Sequence, residues 1–177
     1  MRIFAGKWAG VSLVSPGRRV RPTAESLRVS IMDWLAEDLE GARVLDLFAG
    51  TGALGLEALS RGARSVDFVE SGPEALHSLK ANRAKLRVTK KTRLFKKEVF
   101  TFLEGVEPWA YDLALADPPY TTRAGEKLAR LWLSQPFSTI LLVEHLREVT
   151  LPPGGVRRVF EDSAVTTYRR RKMNEGD

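Results

Sequence analysis

From residue 41 onward, short apolar runs alternate with segments whose apolar positions recur every three or four residues. The runs Arg43 to Leu47, Ser65 to Val69, Thr92 to Phe95, Tyr111 to Ala116 and Thr139 to Glu144 predict strands. Leu54 to Ser60, Pro73 to Leu86, Val99 to Leu103 and Gly125 to Leu133 predict the helices between them. Val156 to Phe160 and Ala164 to Arg170 are close enough in sequence to close the chain as an antiparallel hairpin. Strands alternating with helices in this way predict an α/β architecture: a seven-stranded, doubly wound, mostly parallel sheet. Ahead of it, Thr23 can cap a helix from Ala24 to Leu39, with Leu27, Ile31, Trp34, Leu35 and Leu39 on one face. Arg2 to Ala5 and Val11 to Val14 can pair as a small β-hairpin across Gly6-Lys7-Trp8-Ala9-Gly10. One domain is expected, divided into an N-terminal hairpin extension (residues 1–22), a leading helix (23–40), the core (41–172) and a tail (173–177).

Composition narrows the chemistry. A chain of 177 residues, 44% of them hydrophobic, can bury the core of one compact domain. It contains neither an apolar run of membrane-spanning length nor an N-terminal secretory block, so a cytoplasmic protein with no membrane partner is expected. The absence of cysteine excludes disulfides, thiolate metal centres and thiolate nucleophiles, including cysteine-dependent methylation of pyrimidine C5. The net charge of +6 is concentrated in blocks. Residues 1–24 carry Arg2, Lys7, Arg18, Arg19 and Arg21 with no acid, residues 75–97 carry nine Lys or Arg with no acid, and Arg169-Arg170-Arg171-Lys172 forms a third block. A polyanion is the partner such a surface favours.

Two segments carry candidate chemistry. Asp46-Leu47-Phe48-Ala49-Gly50-Thr51-Gly52 lies where the first strand of the core turns into a helix, a place where glycines let backbone approach a ligand. Gly50-x-Gly52-x-x-Gly55 matches the dinucleotide spacing, yet Asp46 would repel a pyrophosphate and favours a cofactor bearing an amino-acid group. A valine at Gly52 is then expected to block that cofactor. Glu70, ending the second strand, is placed to accept both hydroxyls of a ribose, and Glu98 to approach an adenine amino group. Asp117-Pro118-Pro119-Tyr120 closes the fourth strand as a rigid corner. Its acid and carbonyls suit the hydrogens of an exocyclic amine, and its tyrosine suits the face of a planar base. His77 and His145 read as structural or surface residues, and no metal is expected.

Asp46 to Ala58 together with Asp117-Pro118-Pro119-Tyr120 resembles the S-adenosylmethionine-dependent methyltransferases of exocyclic amines. Met1-Arg2-Ile3-Phe4-Ala5-Gly6-Lys7-Trp8, Arg21-Pro22-Thr23 with Arg28, and Val143-Glu144-His145 narrow the likeness to the bacterial 16S ribosomal RNA guanine-N2 methyltransferase (RsmD) family. The resemblance implies a Rossmann-like class I methyltransferase fold and S-adenosyl-L-methionine as cofactor. It implies cofactor contacts at Asp46, Phe48, Ala49, Gly50, Thr51, Gly52, Glu70, Ser71, Glu98 and Val99, the family more often having aspartate where Glu98 stands. It makes Asp117, Pro118, Pro119 and Tyr120 catalytic and places Lys7, Arg21, Thr23 and Arg28 on the substrate side. The implied reaction is in-line attack of a guanine N2 amine on the sulfonium methyl. The implied partner is ribosomal RNA within an assembled or partly assembled small subunit. DNA adenine-N6 methylation, protein glutamine methylation, nicotinamide-dependent oxidoreduction and non-catalytic RNA binding are the competing readings. Size opposes the first, Asp117 in place of asparagine the second, and Asp46 the third; labelled S-adenosylmethionine would separate the fourth. The basic blocks generate one expectation directly: RNA affinity, followed by fluorescence anisotropy, should fall steeply with salt as phosphate counterions are released. A flat salt response would remove the blocks from the interface.

Overall fold

The structure, a computed structural model, describes residues 1–15 and 22–170, except the side chains of residues 22–24. Helix α1 (Pro22–Trp34) and the short α2 (Ala36–Leu39) lead into β1 (Arg43–Leu47), α3 (Ala53–Ser60), β2 (Ser65–Val69), α4 (Pro73–Lys85) and β3 (Thr92–Phe95). There follow α5 (Val99–Leu103), β4 (Tyr111–Ala116), α6 (Ala124–Ser134), β5 (Ser138–Leu146), β6 (Val156–Val159) and β7 (Ser163–Arg169). The strands make one seven-stranded sheet in the order β3-β2-β1-β4-β5-β7-β6. The first five are parallel; β7 runs antiparallel between β5 and β6, as the sequence predicts.

Both faces of the sheet are covered, which is why the central strands read as nearly unbroken apolar runs. Alternate residues serve opposite layers. Val44, Leu113, Leu115, Ile140 and Leu142 pack with residues of α1, α3 and α4, whereas Leu45, Leu47, Ala114, Ala116, Leu141 and Val143 pack with residues of α5 and α6. Phe68 and Trp132 are core residues on opposite faces, and the Trp132 indole N–H is satisfied by the Ser138 carbonyl at 3.0 Å.

The leading helix differs from the expectation in two ways. It starts at Pro22, whose fixed φ suits a first helical position, so Thr23 lies inside the first turn instead of capping it. It also breaks at Leu35, which has φ −95° and ψ 7° and is fully buried; the chain turns there so that Leu35 and Leu39 can both enter the core.

The N-terminal hairpin is reduced to a single bridge, Arg2 with Ser12, around a 3-10 turn at Gly6–Trp8. The Ile3, Gly10 and Leu13 amides donate across the hairpin to the Val11, Ile3 and Met1 carbonyls at 2.9 Å each, while the Phe4, Ala5 and Trp8 amides turn to α3. The carboxylate of Glu57, fully buried, accepts from Phe4 N–H at 2.8 Å and Ala5 N–H at 3.1 Å and pairs with Arg61 at 2.9 Å. Asn82 holds the segment's other end, accepting from Val14 N–H at 2.6 Å and donating to the carbonyls of Val14 and Thr51 at 3.0 Å each. Gly6 lies against α3, where an added Cβ would stand 1.9 Å from the Ser60 carbonyl oxygen.

Part of the second basic block is internal to the fold. Arg83 donates to Thr92, Lys85 to the Ser12 carbonyl, and Arg93 clamps the buried Asp67 that also receives the Tyr111 hydroxyl. Lys90, Lys91, Lys96 and Lys97 are exposed, and the Lys96 ammonium pushes the pKa of neighbouring exposed Lys80 down. Arg18, Arg19, Arg21, Arg171 and Lys172 lie outside the described residues.

Glu57→Ala would leave two buried amides and the Arg61 guanidinium without their acceptor. Urea denaturation should show a loss of about 3 kcal/mol.

Candidate active site

At β1 the connections reverse direction: β2 lies on one side and β4 on the other. Such a switch point opens a crevice beyond the carboxyl ends of the strands. Because Leu47 pairs with Ala116, the chain leaves the two strands side by side at Phe48 and Asp117. A cavity opens there, lined by Asp46, Phe48, Ala49, Gly50 and Thr51 from one loop and by Asp117 from the other. Two segments well separated in sequence thus share one hollow.

Asp46 is 1% exposed, and one carboxylate oxygen accepts the Gly55 N–H at 2.9 Å. Burial foremost, and the charges of Asp117 and Glu70, push its pKa well above the ordinary carboxylate range although the Gly55 amide opposes them. A buried acid of this kind, with an oxygen to spare and no cation bonded to it among the described residues, fits the ammonium of an amino-acid-bearing cofactor.

The glycines divide by role. A Cβ on Gly55 would press Phe68, Val66 and the Asp46 carboxylate at 2.6, 2.7 and 2.8 Å, and one on Gly52, where φ is +80°, would meet Leu79 at 2.3 Å. Their steric demand comes from inside the protein. The expectation that valine at Gly52 acts by blocking the cofactor is therefore corrected: it would first disrupt the packing of α3 on the sheet. Gly50, with φ +56° and only the Phe48 carbonyl oxygen as near as 4.0 Å, is the glycine open to a ligand. Phe48 itself adopts φ +57°, a conformation costly for a bulky side chain and characteristic of functional turns. Its ring reaches α5, edge-on to Phe100 at 6.4 Å.

Glu70 ends β2 as expected, but it is engaged as a clamp. One oxygen accepts from Gly50 N–H at 2.7 Å; the other accepts from Ser71 N–H at 2.8 Å and Gly72 N–H at 2.6 Å. A carboxylate has about four acceptor positions, so roughly one remains, enough for one ribose hydroxyl and not for both. Glu98 caps α5 by accepting from Thr101 N–H at 2.9 Å. Burial raises its pKa, but the Thr101 and Phe100 amides and the Lys127 ammonium outweigh burial and hold it below the usual value. Glu98 lines a shallow apolar slot with Phe48, Phe100, Pro119 and Lys127, whose ammonium lies 3.9 Å over the Phe100 ring. That slot suits a flat heterocycle. Val99 is buried, so only its backbone can face a ligand.

Asp117 faces the cavity, and its side chain has no hydrogen-bond partner among the described residues. Although Asp117 reaches solvent at the mouth of the cavity, the protein packed around its carboxyl and then the adjacent Glu144 carboxylate push its pKa up to about 7. The Pro118 carbonyl is equally free among the described residues, while the Pro119 carbonyl accepts from Thr122 at 2.9 Å. Tyr120 is 41% exposed, and its hydroxyl donates to Glu144 at 2.5 Å. Burial, then that hydrogen bond, raises the pKa of the phenol.

Of the substrate-side residues, Arg28 lines the cavity, is 5% exposed and donates Nη2 to the Arg2 carbonyl at 2.8 Å, with its Nε lacking a partner. Lys7 is not brought to the cavity: its turn hydrogen-bonds to Ser60, the last residue of α3, whereas the cavity lies at the first. Arg21 lies outside the described residues, and the Thr23 side chain is not among those described. His145 is structural, with its ring nitrogens at 2.9 Å from the Leu146 carbonyl and 2.8 Å from the Thr166 hydroxyl. Among the described residues, no group of three acids or histidines is placed to hold a metal, and no helix is long and apolar enough to cross a membrane. Sequence reasoning missed Glu144 as a site residue; an acid closing an apolar strand beside Asp117 was its signal.

Strand order, glycine turn and the acid closing β1 define a class I methyltransferase fold. The chain belongs to the family described as "Conserved hypothetical protein 95", which it matches over residues 1–164. As the resemblance implied, it is similar to the ribosomal RNA small subunit methyltransferase D of Escherichia coli strain K12, with 31% identity over all of this chain and 93% of that one. A solved hypothetical protein of Thermus thermophilus superposes with a TM-score of 0.82 at 31% identity, covering 96% of this chain and 99% of that one. A methyltransferase solved in complex with S-adenosylhomocysteine, 15% identical at a TM-score of 0.60 over 84% of this chain and 49% of that one, shares the fold alone.

The two glycines should separate in calorimetry and thermal melting. Gly52→Val should lower the melting temperature sharply, with or without cofactor. Gly50→Ala should cost about 1 kcal/mol of stability, from its left-handed backbone, while weakening cofactor binding.

Proposed function

We propose that this protein methylates the exocyclic N2 amine of a guanine in small-subunit ribosomal RNA. The observation that carries the reading is that Asp117, at the head of the Asp-Pro-Pro-Tyr corner, lines the cavity that Asp46 and the glycine turn line, while Pro118, Pro119 and Tyr120 line an adjoining hollow that shares Glu144 with it. The cofactor is S-adenosylmethionine, which supplies an electrophilic methyl group when bound. Asp46 would hold its ammonium, the backbone of Phe48 to Gly52 its amino-acid portion, Glu70 one ribose hydroxyl, and the slot between Phe48 and Phe100 its adenine.

A guanine amine is a weak nucleophile because its lone pair is delocalised into the ring, yet it needs no deprotonation before attack. Asp117 and the Pro118 carbonyl, both free acceptors, would take its two N–H groups and turn the lone pair out of the ring plane. As the new N–C bond forms, the nitrogen becomes acidic and its proton passes to the Asp117 carboxylate. The exposed Tyr120 ring offers a stacking face worth about 1 to 3 kcal/mol, against an extrusion cost of a few kcal/mol. The small N-terminal extension leaves little surface for reading sequence, which favours RNA shape presented by an assembled or partly assembled subunit as the substrate.

Incubating free ribosomal RNA and assembled small subunits with radiolabelled cofactor, followed by nucleoside mass spectrometry, tests the base, the atom and the context together. N2-methylguanosine is the expected product; N6-methyladenosine would overturn the assignment. Asp117→Ala should lower kcat by about a thousandfold with cofactor affinity nearly unchanged. The acceptor form of Asp117 is the ionised one and its pKa lies at about 7, so kcat/KM should be full above that pH and fall as pH drops through it.

A further inference from the structure

We propose that Glu144 selects the base, its free carboxylate oxygen accepting the N1–H of the target guanine while Asp117 accepts from N2. The inference rests on the guanine-N2 reading and deepens it. β4 and β5 are parallel with Ala116 opposite Val143, so Asp117 and Glu144 are the next pair along, on strands about 4.8 Å apart, and both line the same cavity. Glu144 gives one oxygen to the Tyr120 hydroxyl at 2.5 Å; the other has no hydrogen-bond partner among the described residues. Asp117 likewise has none. Arg28 and Met1 also line that hollow; Arg28 donates Nη2 to the Arg2 carbonyl and the Met1 ammonium pairs with Glu25, and neither makes a salt bridge to Asp117 or Glu144 among the described residues.

Asp117 is exposed at the mouth of the hollow and Glu144 is half-buried, neither bonded to Arg28 among the described residues, so two neighbouring acceptors are left to water and are complementary to a ligand that brings two adjacent donors. Guanine does so, presenting N1–H beside N2–H. Adenine and cytosine each place a ring-nitrogen lone pair beside the amine, and that lone pair would face the Glu144 oxygen. Uracil has no amine. The acid pair therefore accepts one base and repels the others, which is discrimination by mismatch as much as by attraction. The bond to Tyr120 also ties the stacking ring to the carboxylate that reads the base edge, fixing face and edge together.

The test uses unmodified small-subunit RNA, free and assembled, carrying either guanine or adenine at the mapped target position. The wild-type protein should methylate the guanine form and leave that position unmodified in the adenine form. Glu144→Gln should lose at least about tenfold in kcat/KM on guanine. It should gain detectable methylation of adenine, because a carboxamide can donate to adenine N1. Tyr120→Phe, which removes the hydroxyl and keeps the ring, should raise KM on guanine by loosening the pair but should admit no adenine, because the carboxylate remains. An unaltered preference in Glu144→Gln, whether its guanine activity is kept or lost, would overturn the inference and leave Glu144 as a support for Tyr120. So would a protein that binds cofactor, measured by calorimetry, but methylates neither base. If Glu144→Gln does not fold, Glu144→Asp decides: its shorter reach should raise KM on guanine without admitting adenine, and wild-type kinetics would refute the role. Absence of N2-methylguanosine from the wild-type reaction would mark failure of the underlying reading before any variant is compared.

Discussion

The parallel pairing of β1 with β4 is the constraint on which the remaining architecture of the site depends. Leu47 opposite Ala116 means that the glycine turn and the Asp-Pro-Pro-Tyr corner leave the sheet at one level and on one edge. The pairing of β4 with β5 extends the same logic by one strand and brings Glu144 beside Asp117. A slip of one residue in either register would turn the acid at the strand end to the opposite face of the sheet, so the apolar alternation that fixes register also fixes the chemistry.

The site is built against the protein's own stability. Asp46, Asp117 and Glu144 are carboxylates gathered where burial raises each pKa, and no salt bridge neutralises any of them among the described residues. Asp46, fully enclosed, bears the cost of that burial in the unliganded state, whereas Asp117 is exposed and Glu144 half-buried, so both reach water there. Elsewhere in the molecule buried charge is satisfied: Asp67 has Arg93 and Tyr111, and Glu57 has Arg61 and two backbone amides. The contrast separates acids that hold the fold from acids the fold leaves without a cation among the described residues.

The N-terminal segment belongs to that second boundary. Ile3 and Leu13 join the core, Glu57 and Asn82 pin the backbone, and Met1 and Arg28 complete the wall of the cavity. An extension too short to fold alone is thereby made rigid by α3 and α4, the helices that flank the glycine turn. Asn82 makes the link literal, since one side chain bonds both Val14 and Thr51.

Strand and helix positions of the core, the glycine turn and the Asp-Pro-Pro-Tyr corner were legible in the sequence because each depends on local facts: apolar periodicity, glycines at a turn, prolines that end a strand. The break at Leu35 was not legible, because the helical spacing continues through it and only the demand of the core redirects the chain. Nor was the use of Glu70 as a clamp, the internal crowding at Gly52, or the distance of Lys7 from the cavity, each set by contacts between segments distant in sequence. The sequence by itself determined which chemical groups stand at the strand ends and what each could accept or donate. Only the tertiary structure decided which of those groups are already satisfied by the protein and which, like Asp117 and the second oxygen of Glu144, remain free, because hydrogen-bond satisfaction is a property of neighbours in space and leaves no trace in residue order.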